Sequence, residues 1–259
     1  MTILTQVTNA AQIPALVEAC AHERIFGSRI LTALRVYGIG DGRVKFYICE
    51  EAGKPVAALH LTQSILTISA VEGLCADPVE ELIRAEGVHE TDCDEKLCKT
   101  LHERLGGVTE YSYYMVYRGG AVDGEFPGMV PGELPKVFDV LQLSHEYYRE
   151  HLNYDTWSAD LNSRLSRGLS ELYRLERDGQ VIGTGSIASE DDECAVIAAV
   201  AVVPEYRHQG LGSEISRFLV RRILEKGKTP RLISGYDEVA ELYRKIGFES
   251  CGRWGELYL

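Results

Sequence analysis

Residues 170–203 show the apolar and polar pattern of three consecutive strands, the last of them a continuous apolar run. Asp178-Gly179 supplies a hairpin turn between the first two strands. The acidic run 190–193 supplies the turn between the second and the third. Apolar residues from Leu211 to Ile223 then recur with helical spacing, so we expect a long amphipathic helix soon after the third strand.

Shorter patterns predict the elements on either side of this block. They are a strand over 136–143, helices over 144–152 and 156–168, a strand over 230–236, a helix over 237–247 and two closing strands within 248–259. This mixture of strands and helices predicts an α/β (α+β) fold with a mixed central sheet flanked by helices.

The first half of the chain contains an echo of this arrangement. Residues 45–59, laid over residues 171–185, give strand, glycine turn and strand in both places, with Gly53 aligned to Gly179. The similarity fades before the junction between strand and helix. Repetition of the fold is one interpretation, and the other is that any two hairpins look alike over fifteen residues.

Glycine and proline are concentrated in residues 117–136, between two more periodic regions, as in a linker or an exposed crossover. The sequence therefore predicts two domains, 1–125 and 126–259. The first domain would be a degenerate copy of the second.

Composition narrows the classes of partner. The formal charge of -12 argues against a nucleic acid backbone as partner. The start of the chain lacks the pattern of a secretory signal. The sequence contains no run of eighteen apolar residues, so we expect no membrane-spanning helix. Seven cysteines without close pairs are typical of reduced thiols, so we expect a cytoplasmic protein. The oligomeric state is left open.

The junction between the third strand and the long helix reads VVPEYRHQGLG, residues 202–212. A helix that begins there leaves its first N–H groups unpaired, and its dipole favours an anion beside them. Gly210 and Gly212 carry no Cβ, so an anion can approach the backbone. Arg207 and His208 add side-chain donors. Walker and dinucleotide-binding loops need other glycine spacings. The alternative is that the two glycines only make a tight turn.

This segment resembles the pyrophosphate loop of the GNAT acyltransferase superfamily, whose signature is Gln or Arg, two variable residues, Gly, one variable residue, and Gly or Ala. Arg207, Gly210 and Gly212 match that signature. The predicted element order from residue 136 onward is also similar to the family's. The resemblance implies that acetyl-CoA or another acyl-CoA binds as co-substrate, with no metal. The coenzyme-binding residues that it implies are Ala201, Val202, Arg207, His208, Gln209, Gly210, Leu211, Gly212 and Ser213.

The segment AELYRKIGFES resembles a second part of the family's site. It implies that Tyr243 lies beside the coenzyme sulfur and protonates the departing thiolate. The other interpretation is a half-buried packing tyrosine. Where the family often has an Asn near the start of this helix, the chain has Tyr236 and Asp237.

The resemblance also implies direct transfer of the acyl group to an acceptor, commonly a primary amine of a small molecule or peptide. A backbone N–H of Ala201 or Val202 would support the thioester oxygen. Residues 196–203 hold no carboxylate, so the general base is left unassigned. The nearby acids Glu171, Asp192 and Glu193 are interpreted as edge or loop charges. Acceptor selection is expected to fall to the helices that carry four aromatic residues: Tyr147, Tyr148, Tyr154 and Trp157.

A metal site involving Cys93, Cys98 and His102 is considered, but the spacing does not fit a zinc knuckle and helix-face thiols are preferred. Gly183 and Gly185 lie inside a strand pattern and indicate a bulge or close packing. Two further functions remain open. One is a non-catalytic acyl-CoA sensor or partner-binding module on the same fold, and the other is a structural interaction protein without coenzyme.

Overall fold

The computed structural model describes residues 2–235 and 237–259, and these residues form two compact units. The first unit comprises residues 2–114, 234–235 and 250–259, and the second comprises residues 115–233 and 237–249. The division therefore falls earlier than the predicted boundary between residues 125 and 126. The end of the chain joins the first unit because its last strand pairs there.

Strands and helices are mixed along the first unit. They are β1 Thr2–Gln6, α1 Ile13–Cys20, α2 Arg24–Tyr37, β2 Val44–Glu51, β3 Lys54–Thr62, β4 Ile65–Ala70, α3 Asp77–Glu86, β5 Glu90–Asp94 and α4 Glu95–Leu105. The strand β6, Val108–Tyr117, then runs from the first unit into the second.

The second unit contains a similar mixture of strands and helices. Its elements are β7 Met129–Pro131, α5 Leu134–Ser144, α6 Glu146–His151, α7 Tyr154–Leu165, β8 Glu171–Arg177, β9 Gln180–Glu190, β10 Cys194–Val202, α8 Leu211–Glu225, β11 Thr229–Ser234 and α9 Asp237–Lys245. The last strand, β12 Phe248–Tyr258, starts in the second unit and ends in the first.

Strand order is β1-β2-β3-β4-β5-β12 in the first unit and β7-β8-β9-β10-β11 in the second. Neighbours pair antiparallel except β4 with β5 and β10 with β11, which pair parallel. Because side chains alternate across a strand, the sheet of the first unit buries two apolar faces. One packs with α3 and α4, and the other packs with α1 and α2.

The two hairpins that the sequence comparison aligned share their local geometry. The turn residues Ala52-Gly53 have φ values of 50° and 76°, and Asp178-Gly179 have 52° and 78°. Each hairpin has its register shift at the same aligned place, between Cys49 and Glu50 or between Leu175 and Glu176. Similar turns with positive φ at both central residues suit the twist of paired strands.

Two predicted elements are wrong. Residues 136–143 lie in the helix α5, whose buried residues Val137, Val140, Leu141 and Ser144 follow helical spacing and which has a proline in its first turn. Residues 248–259 form one continuous strand rather than two. Among the described residues, no helix has both the length and the apolar character needed to span a membrane.

Candidate functional site

The strand β10 separates from β11 before it ends. Pairing joins Cys194–Ile197 to Thr229–Leu232, and β10 continues for residues 198–202 beyond that pairing. A β-bulge lies in this extension, because Ala198 faces Ser186 while Ala201 faces Thr184. Bulges re-aim the backbone beside functional sites.

Ala199, inside the bulge, has φ of 53°, in the left-handed region that L-residues rarely adopt. The Ser186 hydroxyl donates to the Ala198 carbonyl over 3.0 Å, which secures the bulged backbone against β9. The bulge therefore fixes the direction of the last strand residues.

The orientation of the two candidate oxyanion donors follows from the alternation of the strand. The Val203 N–H donates to the Ile182 carbonyl of β9 over 3.0 Å. Since successive backbone groups point to opposite sides of a strand, the N–H of Ala201 also points toward β9. The N–H of Val202 points away from β9, to the side where β11 no longer pairs. Val202 is therefore the better placed of the two.

The loop from β10 to α8 exposes its backbone. It begins with one turn of 3-10 helix at Pro204–Tyr206, and residues 207–210 are exposed. His208 has φ of 61° and Gly210 has φ of 80°. These two left-handed residues turn the chain sharply into the helix.

Helix α8 begins without a side-chain cap, and its N-cap residue is Gly210. The first helical bond runs from the Glu214 N–H to the Gly210 carbonyl over 3.0 Å. The N–H groups of Leu211, Gly212 and Ser213 thus precede the helical ladder. A Cβ at Gly210 would meet no atom within 4 Å, so the space beside the N-cap residue is open. The arrangement can bind an anion.

The guanidinium of Arg207 is already engaged with backbone carbonyls. Its Nε donates to the Val202 carbonyl over 3.2 Å, and its Nη2 donates to the Ser144 carbonyl at the end of α5. The side chain therefore links the loop to α5. His208 and Gln209 are exposed on the same loop.

Close packing holds α8 against β9. A Cβ at Gly183 would lie 2.8 Å from Ile215 Cδ1, and one at Gly185 would lie 2.7 Å from Ile215 Cγ2 and 2.8 Å from Leu219 Cδ1. Gly185 also faces the bulge of β10, so both meanings offered by the sequence, a bulge and close packing, are found here. The glycines allow α8 to approach the sheet.

Tyr243 lies in α9 and is 7% exposed. Its ring packs edge-on against Phe248, with centroids 5.7 Å apart. Burial raises the pKa of Tyr243 to about 12, so the phenol keeps its proton at neutral pH. Its hydroxyl shares a hydrogen bond with Ser216, whose Oγ donates to the Gly212 carbonyl over 2.7 Å. Tyr243 is thus connected to the first turn of α8. Tyr236, discussed with this helix above, lies outside the described residues.

The four aromatic residues predicted to select the acceptor divide into two groups. Tyr154 and Trp157 pack around Phe138, at centroid distances of 5.1 and 5.6 Å. Tyr147 is 55% exposed. Burial raises the pKa of Tyr148, and the Tyr148 hydroxyl in turn raises the pKa of Tyr243. Tyr148 is therefore the member of the set that lies near Tyr243.

The structure gives the nearby acids other roles. Glu171 lies 2.6 Å from Lys226 Nζ, and Glu190 lies 2.7 Å from the same nitrogen, with pKa values lowered by these hydrogen bonds against the effect of burial. Asp192 and Glu193 stand in the turn before β10, nine strand residues from Val202. At about 3.3 Å per residue they are some ~30 Å from the loop. No general base is assigned.

Cys93 and Cys98 are both buried, and their thiols hydrogen-bond to each other. His102 directs its Nδ1 to the Gly106 carbonyl over 3.2 Å, at the end of α4. The three residues do not form a ligand cluster in the described part of the chain.

Two residues of the site escaped the sequence analysis. Ser216 follows Gly212 by four residues, the helical spacing that places it under the loop, and this spacing is a usable signal. The bulge at Ala199 has no such signal, because residues 198–201 read as an ordinary apolar strand.

Comparisons with known proteins agree with this geometry. Residues 134–248 match the family model of the acetyltransferase (GNAT) family. A search of the curated proteins gives no match. Among solved structures, a GCN5-related N-acetyltransferase from Sphaerobacter thermophilus is 16% identical, covers 98% of this chain and 94% of its own, and has a TM-score of 0.64.

Two other solved structures are also similar to this chain over nearly its whole length. A GNAT-family acetyltransferase from Colwellia psychrerythraea is 15% identical over 99% of both chains, with a TM-score of 0.62. A tandem GNAT protein from the clavulanic acid biosynthesis pathway is 13% identical over 99% of this chain and 97% of its own, with a TM-score of 0.62. The GNAT family model thus matches residues 134–248, and the chain as a whole has a fold like that of these three structures.

Proposed function

We propose that the chain is an acyltransferase whose second unit binds acetyl-CoA, or a related acyl-CoA, and transfers the acyl group to a primary amine. The observation that carries the proposal is the uncapped N-terminus of α8, where the space beside Gly210 is open and the N–H groups of Leu211, Gly212 and Ser213 precede the helical ladder. A diphosphate matches these donors and the positive end of the helix dipole. The first unit would then be a degenerate copy that lacks this loop.

Bound acyl-CoA would supply an activated thioester. The Val202 N–H points to the side of β10 that β11 has left, so it can donate to the thioester oxygen as that oxygen gains charge. Ala201 supports this strand end through its pairing with Thr184. In this arrangement the Arg207 side chain positions the loop, since it donates hydrogen bonds to the carbonyls of Val202 and Ser144.

Transfer forms a bond between the amine nitrogen and the acyl carbon and breaks the bond between that carbon and sulfur. The nitrogen loses a proton, and the departing thiolate gains one. Tyr243 holds its proton at neutral pH, because burial raises its pKa to about 12, and it is the group proposed to deliver it. An alkyl ammonium with pKa near ~10.4 costs roughly 4–5 kcal/mol to deprotonate at pH 7, so a water relay is proposed for that step.

One observation favours the second candidate, a non-catalytic acyl-CoA sensor. The carboxylates of Glu171 and Glu190 are held by Lys226, and residues 196–203 contribute none. A sensor would bind the coenzyme without needing a base.

A screen of primary amines with acetyl-CoA separates the two functions. The assay follows free thiol, and the Gly210→Glu variant serves as the background. We expect amine-dependent thiol release by the wild-type chain and none by the variant. Binding of acetyl-CoA without release across the panel would favour the sensor. Absence of binding would exclude both.

A further inference from the structure

Three carboxylates meet on one face of the sheet in the first unit. Strands β5 and β12 pair antiparallel, with Asp92 opposite Glu256 and Glu90 opposite Tyr258. Alternate residues of a strand share a face, so Glu90, Asp92 and Glu256 point the same way. One ligand oxygen from each lies within 4.8 Å of the other two.

Repulsion between the three carboxylates makes this arrangement unfavourable unless a cation lies close to them. Like charges directly opposite on paired strands destabilise the pair. Arg29 Nη1 lies 3.3 Å from Asp92 Oδ2, and the Tyr258 hydroxyl donates to Glu256 over 3.1 Å. Burial, together with neighbouring carboxylates, raises the pKa of Glu256 to about 7, and burial raises that of Asp92.

A second observation concerns a single atom. Asp92 is 3% exposed, and its Oδ1 is fully buried with no hydrogen-bond partner among the described residues. Leaving a buried acceptor unsatisfied costs on the order of 1–3 kcal/mol, and more when the group is charged. Such an atom in a native structure calls for an explanation, of which a bound ion is one. The Arg29 guanidinium uses the other oxygen, Oδ2, so it does not satisfy Oδ1.

The chemistry and spacing of these ligands select the kind of ion. Three carboxylate oxygens with no nitrogen or sulfur favour a hard cation. Oxygens bound to one ion can be separated by at most twice the metal–oxygen distance. That limit is about 4.6–5.2 Å for Ca²⁺ and about 4.0–4.2 Å for Mg²⁺. All three ligand oxygens lie within 4.8 Å of one another, so their separations fit within the calcium limit.

We propose that the first unit binds one hard divalent cation, Ca²⁺ in preference to Mg²⁺, through the carboxylates of Glu90, Asp92 and Glu256. The ion joins β5 to β12, and so ties the end of the chain to the unit that contains its beginning. This site differs from the expectation of no metal. Sequence inspection could not find it, because Asp92 and Glu256 are brought together only by strand register.

Calorimetric titration of chelator-treated full-length protein with Ca²⁺ tests the proposal. We expect saturable binding of one ion per chain, weaker binding of Mg²⁺, and a higher thermal midpoint with Ca²⁺ present. Glu256→Gln should weaken calcium binding at least tenfold and remove the rise in thermal midpoint. The matched control is Glu81→Gln, which removes one exposed carboxylate from α3 of the same unit. It should bind calcium as the wild type does.

Terbium luminescence supplies an independent readout. Trp254 lies on β12 two residues from Glu256 and is opposite Asp94, so its ring is placed to sensitise a bound Tb³⁺. Excess Ca²⁺ should quench this emission in the wild type and in Glu81→Gln, and Asp92→Asn should lack it. Failure of the wild type to bind Ca²⁺ at millimolar concentration, or equal binding by Glu256→Gln, would overturn the proposal in favour of a shared proton. Neither result bears on acetyl-CoA binding by the second unit.

Discussion

The helix that follows the central strand begins differently in the two units. Helix α3 carries the carboxylates of Asp77 and Glu80 in its first turn, and both pair with Arg104. Helix α8 has one carboxylate in its first turn, Glu214, and its N-cap residue is Gly210, with φ of 80°. Neither helix has a side-chain cap. The positive end of a helix dipole attracts an anion. In the first unit two carboxylates of the protein lie at that end, and in the second unit an exposed glycine loop leads into it.

The strands that feed these helices differ as well. Strand β4 keeps a regular register with β3 over its whole length, Ile65–Ala70. Strand β10 has the bulge at Ala199 and continues for five residues beyond its pairing with β11. The hairpins before them share similar turn φ values and the same aligned position of the register shift. The site of the second unit is therefore a local modification of a shared scaffold.

The packing of the helix against the sheet also differs between the two units. The positions aligned with Gly183 and Gly185 are Ala57 and Leu59 in the first unit. Both are completely buried in the apolar core there. In the second unit the glycines leave room for Ile215 to approach β9. Absence of two side chains, rather than presence of any particular group, lets α8 approach β9.

The largest expected effect tests the contrast between the two helix ends. Gly210→Glu places a carboxylate in the space before α8, where it would repel a diphosphate. Juxtaposed like charges cost several kcal/mol, so we expect acetyl-CoA affinity to fall about 10³-fold by calorimetry. Gly87→Glu is the matched control, because Gly87 also has positive φ, 63°, and open space around its Cβ position. Equal losses in both variants would mean that backbone strain, and not the anion site, explains the result.

A second prediction concerns the proton donor. Tyr243→Phe should lower turnover about 10²-fold with little change in the KM for acetyl-CoA, since general acid catalysis typically contributes that much or more. Burial raises the pKa of Tyr243 to about 12, so the acid form persists as pH rises and the loss should be constant from pH 6 to pH 10.

Tyr117→Phe is the control for this prediction. Tyr117 packs edge-on against the same Phe248 ring, at 5.4 Å, and its hydroxyl donates to the Gly120 carbonyl over 2.9 Å. Its substitution should leave turnover unchanged. If the two variants behave alike, Tyr243 is a packing residue.

The parts of this protein that sequence could predict are those whose signal is local. The glycine spacing at Gly210 and Gly212 and the position of Tyr243 before Gly247 each lie within a dozen residues, so the sequence alone could propose the loop and the candidate acid. Local hairpin patterns likewise predicted β8, β9 and β10. The same reasoning failed for α5, because eight mostly apolar residues fit a strand and a helix equally well.

The other features that the sequence did not predict depend on how strands pair with each other. The pairing of Asp92 with Glu256 joins residues far apart in the chain, and it decides both the extent of the first unit and the carboxylate cluster. The sequence around each of these residues contains no signal for that pairing. The bulge at Ala199 was also hidden, since its positive φ depends on how β10 pairs with β9 and not on residue type.

A third prediction tests the packing difference. Gly185→Ala would place a Cβ 2.7 Å from Ile215 Cγ2, so α8 or the side chain must move. Overpacking of this kind costs typically 1–3 kcal/mol, and we expect a loss of about 2 kcal/mol in the free energy of unfolding by chemical denaturation. Gly185→Leu, which restores the residue type of the first unit, should cost more and weaken acetyl-CoA binding. Gly42→Ala, where a Cβ meets nothing within 4 Å, is the control and should change stability little.

The smallest expected effect isolates the bulge of β10. Ala199 holds φ of 53°, which costs an L-residue roughly 1–2 kcal/mol and costs glycine almost nothing. Ala199→Gly should therefore raise the free energy of unfolding by up to about 1 kcal/mol after the entropic cost of glycine. Ala198→Gly, in the same strand without positive φ, should lower it by about 0.5–1 kcal/mol. Acetyl-CoA affinity should be retained in Ala199→Gly, because the strain supports the backbone direction and is not itself the binding group. Equal destabilisation of both variants would show that the bulge stores no strain, and the contrast between β10 and β4 would then rest on strand register and length.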